Sequence, residues 1–194
     1  EPDEKVKGIV LSGSPSSVRD KNAPIPDIDH LIERFPILGI CYGAQYLAQT
    51  RGGEVTPSKF REYGRARLQF IDNNSPLMRN IQLNSQVWMS HGDTIEKLPE
   101  DYQIISSTGD IKVGAFEVRN KPVFGLQFHP EVYHTTQGID ILRNFVVDIC
   151  GCNQNWTAES FIEATIDELK RKLGSDKVVL GLSGGVDSSV AATL

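Results

Sequence analysis

Cys41 lies between two glycines, in the segment Gly39-Ile40-Cys41-Tyr42-Gly43, where an apolar run ends and a helix-like run begins. This pattern is typical of a nucleophile held on a sharp strand-to-helix turn, because small flanking residues let the backbone pass closely. The following helix would direct its N-terminal N–H groups at the sulfur and favour the thiolate. A buried cysteine that only fills a core is the alternative interpretation. The segment by itself does not decide between the two.

A thiol nucleophile needs a base, and His129 stands in a suitable pattern. It follows the apolar segment "VFGLQF" and precedes Glu131 by two residues. In extended backbone these two side chains point to the same side, so Glu131 can accept from one ring nitrogen and leave the other for the sulfur. The alternative is a structural histidine beside an exposed glutamate. Taken with Cys41, the pair indicates a catalytic triad of nucleophile, base and orienting carboxylate.

A second motif is the glycine-rich segment "GLSGGVDSS" at 181–189. Gly184 and Gly185 would let successive backbone N–H groups converge on an anion at a helix N-terminus. The segment lacks the Gly-Lys-Ser/Thr end of a Walker A loop, which disfavours transfer of a γ-phosphate. The pattern predicts a phosphate-binding loop, with an ordinary glycine turn as the alternative.

The elements that position the first motifs alternate between strand and helix. The segments "VKGIVLSG", "PILGI" and "VFGLQF" predict buried strands, and "IDHLIERF" and "YGAQYLAQTRGG" predict helices. This order is typical of an α/β domain with a parallel sheet. The segment "RARLQFI" alternates, with Ala66, Leu68 and Phe70 on one face, and predicts an antiparallel strand. Further strands are expected in "SQVWMS", "YQIISST" and "VGAFEV".

The C-terminal part of the sequence predicts two helices and one more strand. "GIDILRNFVVDIC" predicts a helix with an apolar face of Ile139, Leu142, Val146 and Ile149. Thr157 is a plausible N-cap of a second amphipathic helix that Gly174 would end. "KVVLGL" (177–182) predicts a buried strand that leads into the glycine-rich loop.

Composition and charge exclude several classes of protein. The sequence is 39% hydrophobic and 23% charged, which is ordinary for a soluble globular protein, and a net charge of −5 without a basic block argues against nucleic-acid binding. No apolar run approaches the roughly 20 residues of a membrane span, and the charged start "EPDEKVKG" leads us to expect no signal peptide. We expect reduced thiols at Cys41, Cys150 and Cys152, a cytoplasmic location, and no metal at the C-x-C pair. Trp88 and Trp156 are expected to serve packing.

The segments "GICYGAQ" and "GLQFHPEV", with "LSGSPSS" at 11–17, resemble the class I (triad-type) glutamine amidotransferases over about residues 6 to 150. The resemblance implies a flavodoxin-like α/β fold, with a mostly parallel sheet, helices on both faces and an additional antiparallel sheet. It also implies hydrolysis of glutamine. Cys41 would attack the side-chain amide, His129 would protonate the leaving ammonia, and Glu131 would hold His129.

The same resemblance implies further site residues. Backbone N–H groups of Tyr42 and of Gly13 or Ser14 would hold the oxyanion. The family loop usually reads Ser-Gly-Gly-Pro, so serine at position 14 would be strained if that position needs a positive φ. Glutamine would be bound by Gln45 and by the "SHGD" loop, which consists of Ser90, His91, Gly92 and Asp93. His91 would then contact substrate and would not be the base.

The C-terminal motif resembles the pyrophosphate-binding loop of the N-type ATP pyrophosphatases. This resemblance implies binding of ATP, with Mg²⁺ assisting near Asp187, no other metal within the chain and no tightly bound cofactor. The residues it implies for ATP and pyrophosphate are Ser183, Gly184, Gly185, Val186, Asp187, Ser188 and Ser189.

The two resemblances together predict a domain organisation and a set of substrates. We expect residues 1–152 to form a glutaminase domain that lacks its first strand and helix, and residues 153–194 to form a linker and the start of the pyrophosphatase domain. The sequence would thus be a piece of a longer polypeptide. Expected substrates are L-glutamine, ATP and XMP, with a homodimer formed through the missing C-terminal part and no nucleic-acid or membrane partner. A free-standing cysteine γ-glutamyl hydrolase and a non-catalytic glutamine-binding domain are the alternatives.

Overall fold

The computed structural model describes residues 5–155 and 157–193, with only the backbone described at residues 59–62. The chain forms two compact units, Glu1–Cys152 and Asn153–Leu194.

The first unit is built on a seven-stranded mixed sheet with the strand order β1-β2-β7-β6-β5-β3-β4. Strands β1, β2 and β7 are parallel, and the remaining neighbours pair antiparallel, so the antiparallel strands continue the parallel part of the sheet. The α/β expectation is confirmed. The strands are β1 (Ile9–Leu11), β2 (Ile37–Ile40), β3 (Glu54–Ile71), β4 (Gln86–Lys97), β5 (Tyr102–Thr108), β6 (Ala115–Val118) and β7 (Val123–Leu126).

Helices cover both faces of this sheet because successive strand residues point to opposite sides. Ile37 belongs to a core cluster that includes Leu47. Its neighbour Leu38 belongs to a second cluster that includes Phe145. The helices are α1 (Asp29–Ile32), α2 (Tyr42–Gln49) and α3 (Gly138–Arg143), and α3 continues as a π-helical segment, Asn144–Ile149.

The burial predicted for three elements differs from the burial in the structure. β1 was expected to be buried, but Val10 is 48% exposed because β1 lies at the edge of the sheet. Phe70 is exposed although Leu68 is buried, because a register shift between them in the pairing with β5 breaks the alternation. In the helix after residue 138, Ile139 and Val146 are exposed, and Ile141 together with Phe145 is buried instead. The π-helical segment changes the angular spacing on which the predicted face depended.

The second unit contains α4 (Ala158–Leu173) and α5 (Val186–Thr193). The Oγ1 of Thr157 accepts from the N–H of Ser160 at 3.0 Å, which confirms the predicted N-cap, and Gly174 follows α4 with φ 55°. The predicted buried strand at 177–182 is wrong for the described residues. Val179 is 99% exposed, because residues 157–193 contain no strand with which this segment could pair. In the part of the chain that the structure describes, no helix is long and apolar enough to cross a membrane.

Candidate active site

A cavity of about 930 Å³ opens beyond the carboxyl end of β2, and Cys41, His129 and Glu131 all line it. The structure therefore brings together three residues that are up to 90 positions apart in the sequence. The same cavity is lined by every other site residue that was predicted for the first unit, namely Gly13, Ser14, Tyr42, Gln45, Ser90, His91, Gly92 and Asp93.

Cys41 occupies a strained turn between β2 and α2. Its backbone has φ 51° and ψ −103°, a conformation that residues with a side chain rarely adopt. The flanking glycines make the turn possible. A Cβ at Gly39 would lie 2.6 Å from the carbonyl carbon of Gly43, and a Cβ at Gly43 would lie 2.2 Å from the carbonyl oxygen of Leu11. Both positions therefore exclude any side chain, as expected of a turn that presents a nucleophile.

The thiol of Cys41 is buried and protonated in the resting site. Burial raises its pKa to about 11, the nearby carboxylate of Glu131 adds to the rise, and the backbone N–H of Tyr42 opposes it. The Sγ donates weakly to the carbonyl oxygen of Ser90 at 3.8 Å. The predicted effect of the helix N-terminus is present, but desolvation outweighs it. The sulfur must therefore lose its proton to a base as it attacks.

His129 is held in place through both its ring and its backbone. The ring Nδ1 lies 2.6 Å from Oε1 of Glu131. The backbone N–H donates to the carbonyl oxygen of Trp88 at 3.0 Å, and the hydroxyl of Thr135 donates to the carbonyl oxygen of His129. With Nδ1 donating to the carboxylate, Nε2 is the nitrogen left to accept a proton.

Gly13 lies against both catalytic candidates. A Cβ at this position would lie 3.3 Å from Cε1 of His129 and 3.9 Å from the Cβ of Cys41. Ser14 does not have a positive φ, since the non-glycine residues described with one are Cys41, Asn80, Asn84 and Asn120. The strain considered for serine at position 14 is therefore absent. Its Oγ accepts instead from the N–H of Ser16 at 3.2 Å, a local turn that serine favours.

His91 and Asp93 lie on strand β4 and not on a loop, which corrects the predicted location of "SHGD". His91 is 4% exposed, and burial lowers its pKa to about 4, with the nearby His129 adding to the decrease. Near neutral pH the imidazole is therefore uncharged in the folded protein. Gln45 donates through Nε2 to the backbone carbonyl of Asp93 at 3.0 Å, so α2 and β4 are joined beside the nucleophile.

Two residues of this cavity, Ser17 and Arg19, were missed by the sequence analysis. The Oγ of Ser17 donates to one oxygen of the Asp93 carboxylate, and Nη2 of Arg19 donates to the other at 2.7 Å. Their partner is more than 70 positions away. No local pattern in the sequence marks such a contact.

In the second unit, the segment 183–189 predicted to bind phosphate comprises the turn before α5 and the first turn of that helix. Gly184 has φ 81°, and the hydroxyl of Ser183 accepts from the N–H of Gly185 at 3.3 Å and lies 3.0 Å from the hydroxyl of Ser188. The Oγ of Ser189 donates to the carbonyl oxygen of Gly185 at 2.9 Å. The hydroxyls are thus gathered beside the first turn of α5, whose N–H groups have no partners within the helix.

The remaining cysteines and Trp88 lie outside the candidate site. Cys150 is partly buried and packs closely against Gly8, since a Cβ placed at Gly8 would lie only 2.3 Å from the Sγ of Cys150. The ring of Trp88 stacks on His134 with centroids 4.2 Å apart, whereas Trp156 lies outside the described residues. Among the side chains that the structure describes, which exclude those of residues 59–62, no group of three histidine, cysteine or acidic residues could hold a metal ion.

Comparison with known proteins places the chain in a family. The model of the class-I glutamine amidotransferase family matches residues 1–149, and the model of the NAD synthase family matches residues 158–194. The chain belongs to the class-I glutamine amidotransferases. It is 58% identical to a GMP synthase [glutamine-hydrolyzing] of Cytophaga hutchinsonii and 55% identical to one of Phocaeicola vulgatus, in each case over 99% of this chain. The chain spans about 38% and 37% of the length of these two relatives.

Solved structures agree with this assignment. A Thermoplasma acidophilum protein, provisionally described as one component of a GMP synthase, is 30% identical, with a TM-score of 0.63 over 84% of this chain and 78% of that one. A glutamine amidotransferase of Thermotoga maritima is 27% identical, with a TM-score of 0.58 over 89% of this chain and 67% of that one. The predicted class I fold is confirmed.

Proposed function

We propose that the protein is a glutamine-dependent GMP synthase, a carbon–nitrogen ligase of purine nucleotide biosynthesis. It hydrolyses glutamine to glutamate and ammonia, and it uses the ammonia with ATP to aminate XMP to GMP, with release of AMP and pyrophosphate. The observation that carries the proposal is the cavity in which Cys41, His129 and Glu131 meet, in a chain that also carries the 183–189 loop. The relatives' names, which combine GMP synthesis with glutamine hydrolysis, support the proposal.

In this proposal Cys41 is the nucleophile and His129 the base. As the sulfur attacks the amide carbon of glutamine, Nε2 of His129 takes the thiol proton, which the pKa of about 11 would otherwise hold on the sulfur. The proton then passes to the leaving nitrogen, and the tetrahedral intermediate collapses to the thioester as its carbon–nitrogen bond breaks and ammonia departs. Glu131, 2.6 Å from Nδ1, stabilises the imidazolium that forms between these steps.

The oxyanion would be held from two sides of the nucleophile. One donor is the backbone N–H of Tyr42 at the start of α2, and the other comes from Gly13 or Ser14 on the loop after β1. A single donor of this kind contributes about 3–4 kcal/mol where it has been measured. Because water later attacks the thioester through a second tetrahedral species, the same donors serve both halves of the reaction.

The amino-acid end of glutamine would be bound by the polar wall of the cavity. This wall comprises Gln45 on α2 and the β4 residues Ser90, His91, Gly92 and Asp93. The neutral imidazole of His91 offers a hydrogen bond without a charge, whereas the carboxylate of Asp93 complements the substrate ammonium. A polar wall of fixed donors and acceptors suits a zwitterionic substrate better than an apolar amide.

ATP would be bound by the 183–189 loop, through N–H groups at the start of α5 and the hydroxyls of Ser183, Ser188 and Ser189. Mg²⁺ would enter as part of the ATP complex. The exposed carboxylate of Asp187 in the first turn of α5 fits this role, since Mg²⁺ is commonly held by one or two carboxylates together with substrate phosphates. The ion would neutralise phosphate charge. No tightly bound cofactor is part of the proposal.

The domain boundary and the cellular context are part of the same proposal. Residues 1–152 would be the glutaminase domain, and residues 153–194 would be the linker and the beginning of the ATP pyrophosphatase domain. The boundary between compact units after Cys152 supports this division. We propose that the enzyme is cytoplasmic and forms a homodimer through parts of the polypeptide outside this sequence, without nucleic-acid or membrane partners.

The test is to measure ammonia release from glutamine and AMP formation by the intact protein, with and without XMP. GMP synthase activity predicts that both products form and that AMP appears only when XMP is present. Ammonia release without XMP-dependent AMP formation would contradict the proposal and favour a free-standing γ-glutamyl hydrolase. Glutamine binding without release of ammonia would instead favour a non-catalytic domain.

A further inference from the structure

We infer that Arg19 is a positioning residue of the glutaminase site, which acts through its ion pair with Asp93. The pair fixes the segment of residues 12–19, called here the oxyanion loop, over the nucleophile Cys41. This inference rests on the proposed function, because it concerns the donors that stabilise the oxyanion. Neither the triad nor the glutamine-binding residues include Arg19.

Each oxygen of the Asp93 carboxylate accepts a hydrogen bond from the oxyanion loop. Nη2 of Arg19 lies 2.7 Å from Oδ1, and the hydroxyl of Ser17 donates to Oδ2. The Asp93 side chain is 8% exposed, whereas that of Arg19 is 41% exposed. A charge-assisted bond to a buried carboxylate is stronger and better directed than one at the surface, so this contact can fix the loop.

The other side-chain hydrogen bonds described for the oxyanion loop are local or long. Ser16 donates to the hydroxyl of Ser14 at 3.2 Å, and the N–H of Ser17 donates to the Asp20 carboxylate at 2.9 Å. The side chain of Gln49 reaches the carbonyl oxygen of Val18 at 3.4 Å, near the limit of a hydrogen bond. Local bonds give the loop its shape but do not attach it to the sheet. The contact with Asp93 does.

Asp93 also connects the two sides of the oxyanion site. Its backbone carbonyl accepts from Nε2 of Gln45 at 3.0 Å, and Gln45 belongs to the helix that begins with Tyr42. The carboxylate of the same residue holds the loop that carries Gly13. One residue thus links the elements that supply both backbone donors. Because donors must lie about 2.7–3.1 Å from the oxyanion, a loop released from Asp93 would stabilise it less.

If Arg19 acts by fixing the oxyanion loop, its replacement should affect two reactions of the Cys41 sulfur differently. Hydrolysis of glutamine passes through an oxyanion, so it requires the loop. Alkylation by iodoacetamide joins the sulfur to a methylene carbon while iodide leaves, and no oxyanion forms. We expect Arg19→Met to lower kcat for ammonia release about tenfold, part of the 10²–10³-fold loss seen when such a donor is removed. The rate at which iodoacetamide alkylates Cys41 should change less than about twofold, because alkylation needs no such donor.

The experiment compares the intact protein with Arg19→Met, Arg19→Lys and the control Arg51→Met, in the presence of ATP and XMP. Arg51 pairs with the exposed Asp29 at 2.7 Å, outside the cavity, and its variant should keep wild-type kcat. Arg19→Lys retains the charge and should recover part of the loss. Ser17→Ala removes the other bond to Asp93 and should show the same pattern, which provides a second variant if Arg19→Met folds poorly.

Two results would overturn the inference. One is wild-type kcat in both Arg19→Met and Ser17→Ala. The other is an equal loss of ammonia release and of Cys41 alkylation in these variants, which would indicate a general structural defect. A wild-type protein that releases no ammonia from glutamine would instead overturn the proposed function, so the two failures are distinguishable.

Discussion

Nδ1 of His129 and Oε1 of Glu131 lie 2.6 Å apart, and only Pro130 separates the two residues in the sequence. The proline has no backbone N–H that could compete for the carboxylate, and its ring restricts the backbone between the pair. The contact assigns the proton to Nδ1 and leaves Nε2 as the base. A two-residue pattern therefore determines which nitrogen of the histidine can act on Cys41.

Replacing Glu131 with glutamine tests the orienting role. Glu131→Gln keeps an oxygen that can accept from Nδ1 but removes the charge that stabilises the imidazolium. We expect kcat for ammonia release to fall about tenfold or more, by analogy with other triads that lose their carboxylate. The control is Glu100→Gln, which changes an exposed carboxylate outside the cavity. Equal kcat for Glu131→Gln and the wild type would show that the carboxylate does not assist His129.

The pH dependence of Cys41 alkylation tests the resting protonation state. The pKa of Cys41 is raised from 9.0 to about 11, so the neutral thiol persists and the thiolate fraction grows as the pH rises. Between pH 8 and pH 10 the rate of alkylation should increase about tenfold per pH unit. In the urea-unfolded chain the rate should level off above pH 9, the unshifted value. A folded-state rate that is already constant at pH 8 would refute a raised pKa.

The strained backbone of Cys41 predicts an unusual order of stability. Glycine normally destabilises a protein relative to alanine, by about 0.4–1 kcal/mol, because it is more flexible when unfolded. At φ 51° the alanine side chain is strained, at a cost of about 1–3 kcal/mol. In urea unfolding, Cys41→Gly should therefore be at least as stable as Cys41→Ala. Cys150, with φ −82°, is the matched control, and there alanine should be the more stable.

Replacing Gly184 with alanine tests whether the 183–189 loop must keep its backbone conformation to bind ATP. The φ of 81° at Gly184 is strained for any residue with a side chain, so Gly184→Ala should distort the loop or shift it from the conformation that binds ATP. We expect XMP-dependent AMP formation to fall about fivefold or more, which corresponds to strain of about 1 kcal/mol or more. The control Gly181→Ala places its methyl group in open space at a position without positive φ. Equal losses in both variants, or no loss in either, would contradict a specific role for Gly184.

The sequence predicted those features that depend on short spacing. The glycines around Cys41 and the two-residue step from His129 to Glu131 are local patterns, and the triad could be inferred from them. The ion pair between Arg19 and Asp93 joins residues 74 positions apart, and only the folded chain brings them together. The burial that raises the pKa of Cys41 is also a tertiary effect, which the sequence pattern of the helix N-terminus does not include.

Secondary structure was predicted least well where pairing or helix geometry overrides composition. The apolar segment 177–182 has the composition of a strand, but a strand forms only with a neighbour, and none is described in residues 157–193. The exposed Ile139 and Val146 reflect the π-helical segment, which a regular helical spacing cannot anticipate. These errors do not affect the cavity residues, because the strands β2 and β7 that precede Cys41 and His129 formed as predicted.

The proposed glutaminase reaction depends most directly on Cys41 as the nucleophile that attacks glutamine. A chloroketone analogue of glutamine, which alkylates a thiol much faster when it is bound in the substrate site, tests this claim by mass spectrometry of the protein digested after a short exposure. If Cys41 is the nucleophile, one molecule of the analogue should be added per chain, on the peptide that contains Cys41. Excess glutamine should protect that peptide from labelling. A label on Cys150 or Cys152 with Cys41 unmodified, or labelling of Cys41 that glutamine does not slow, would contradict this role of Cys41.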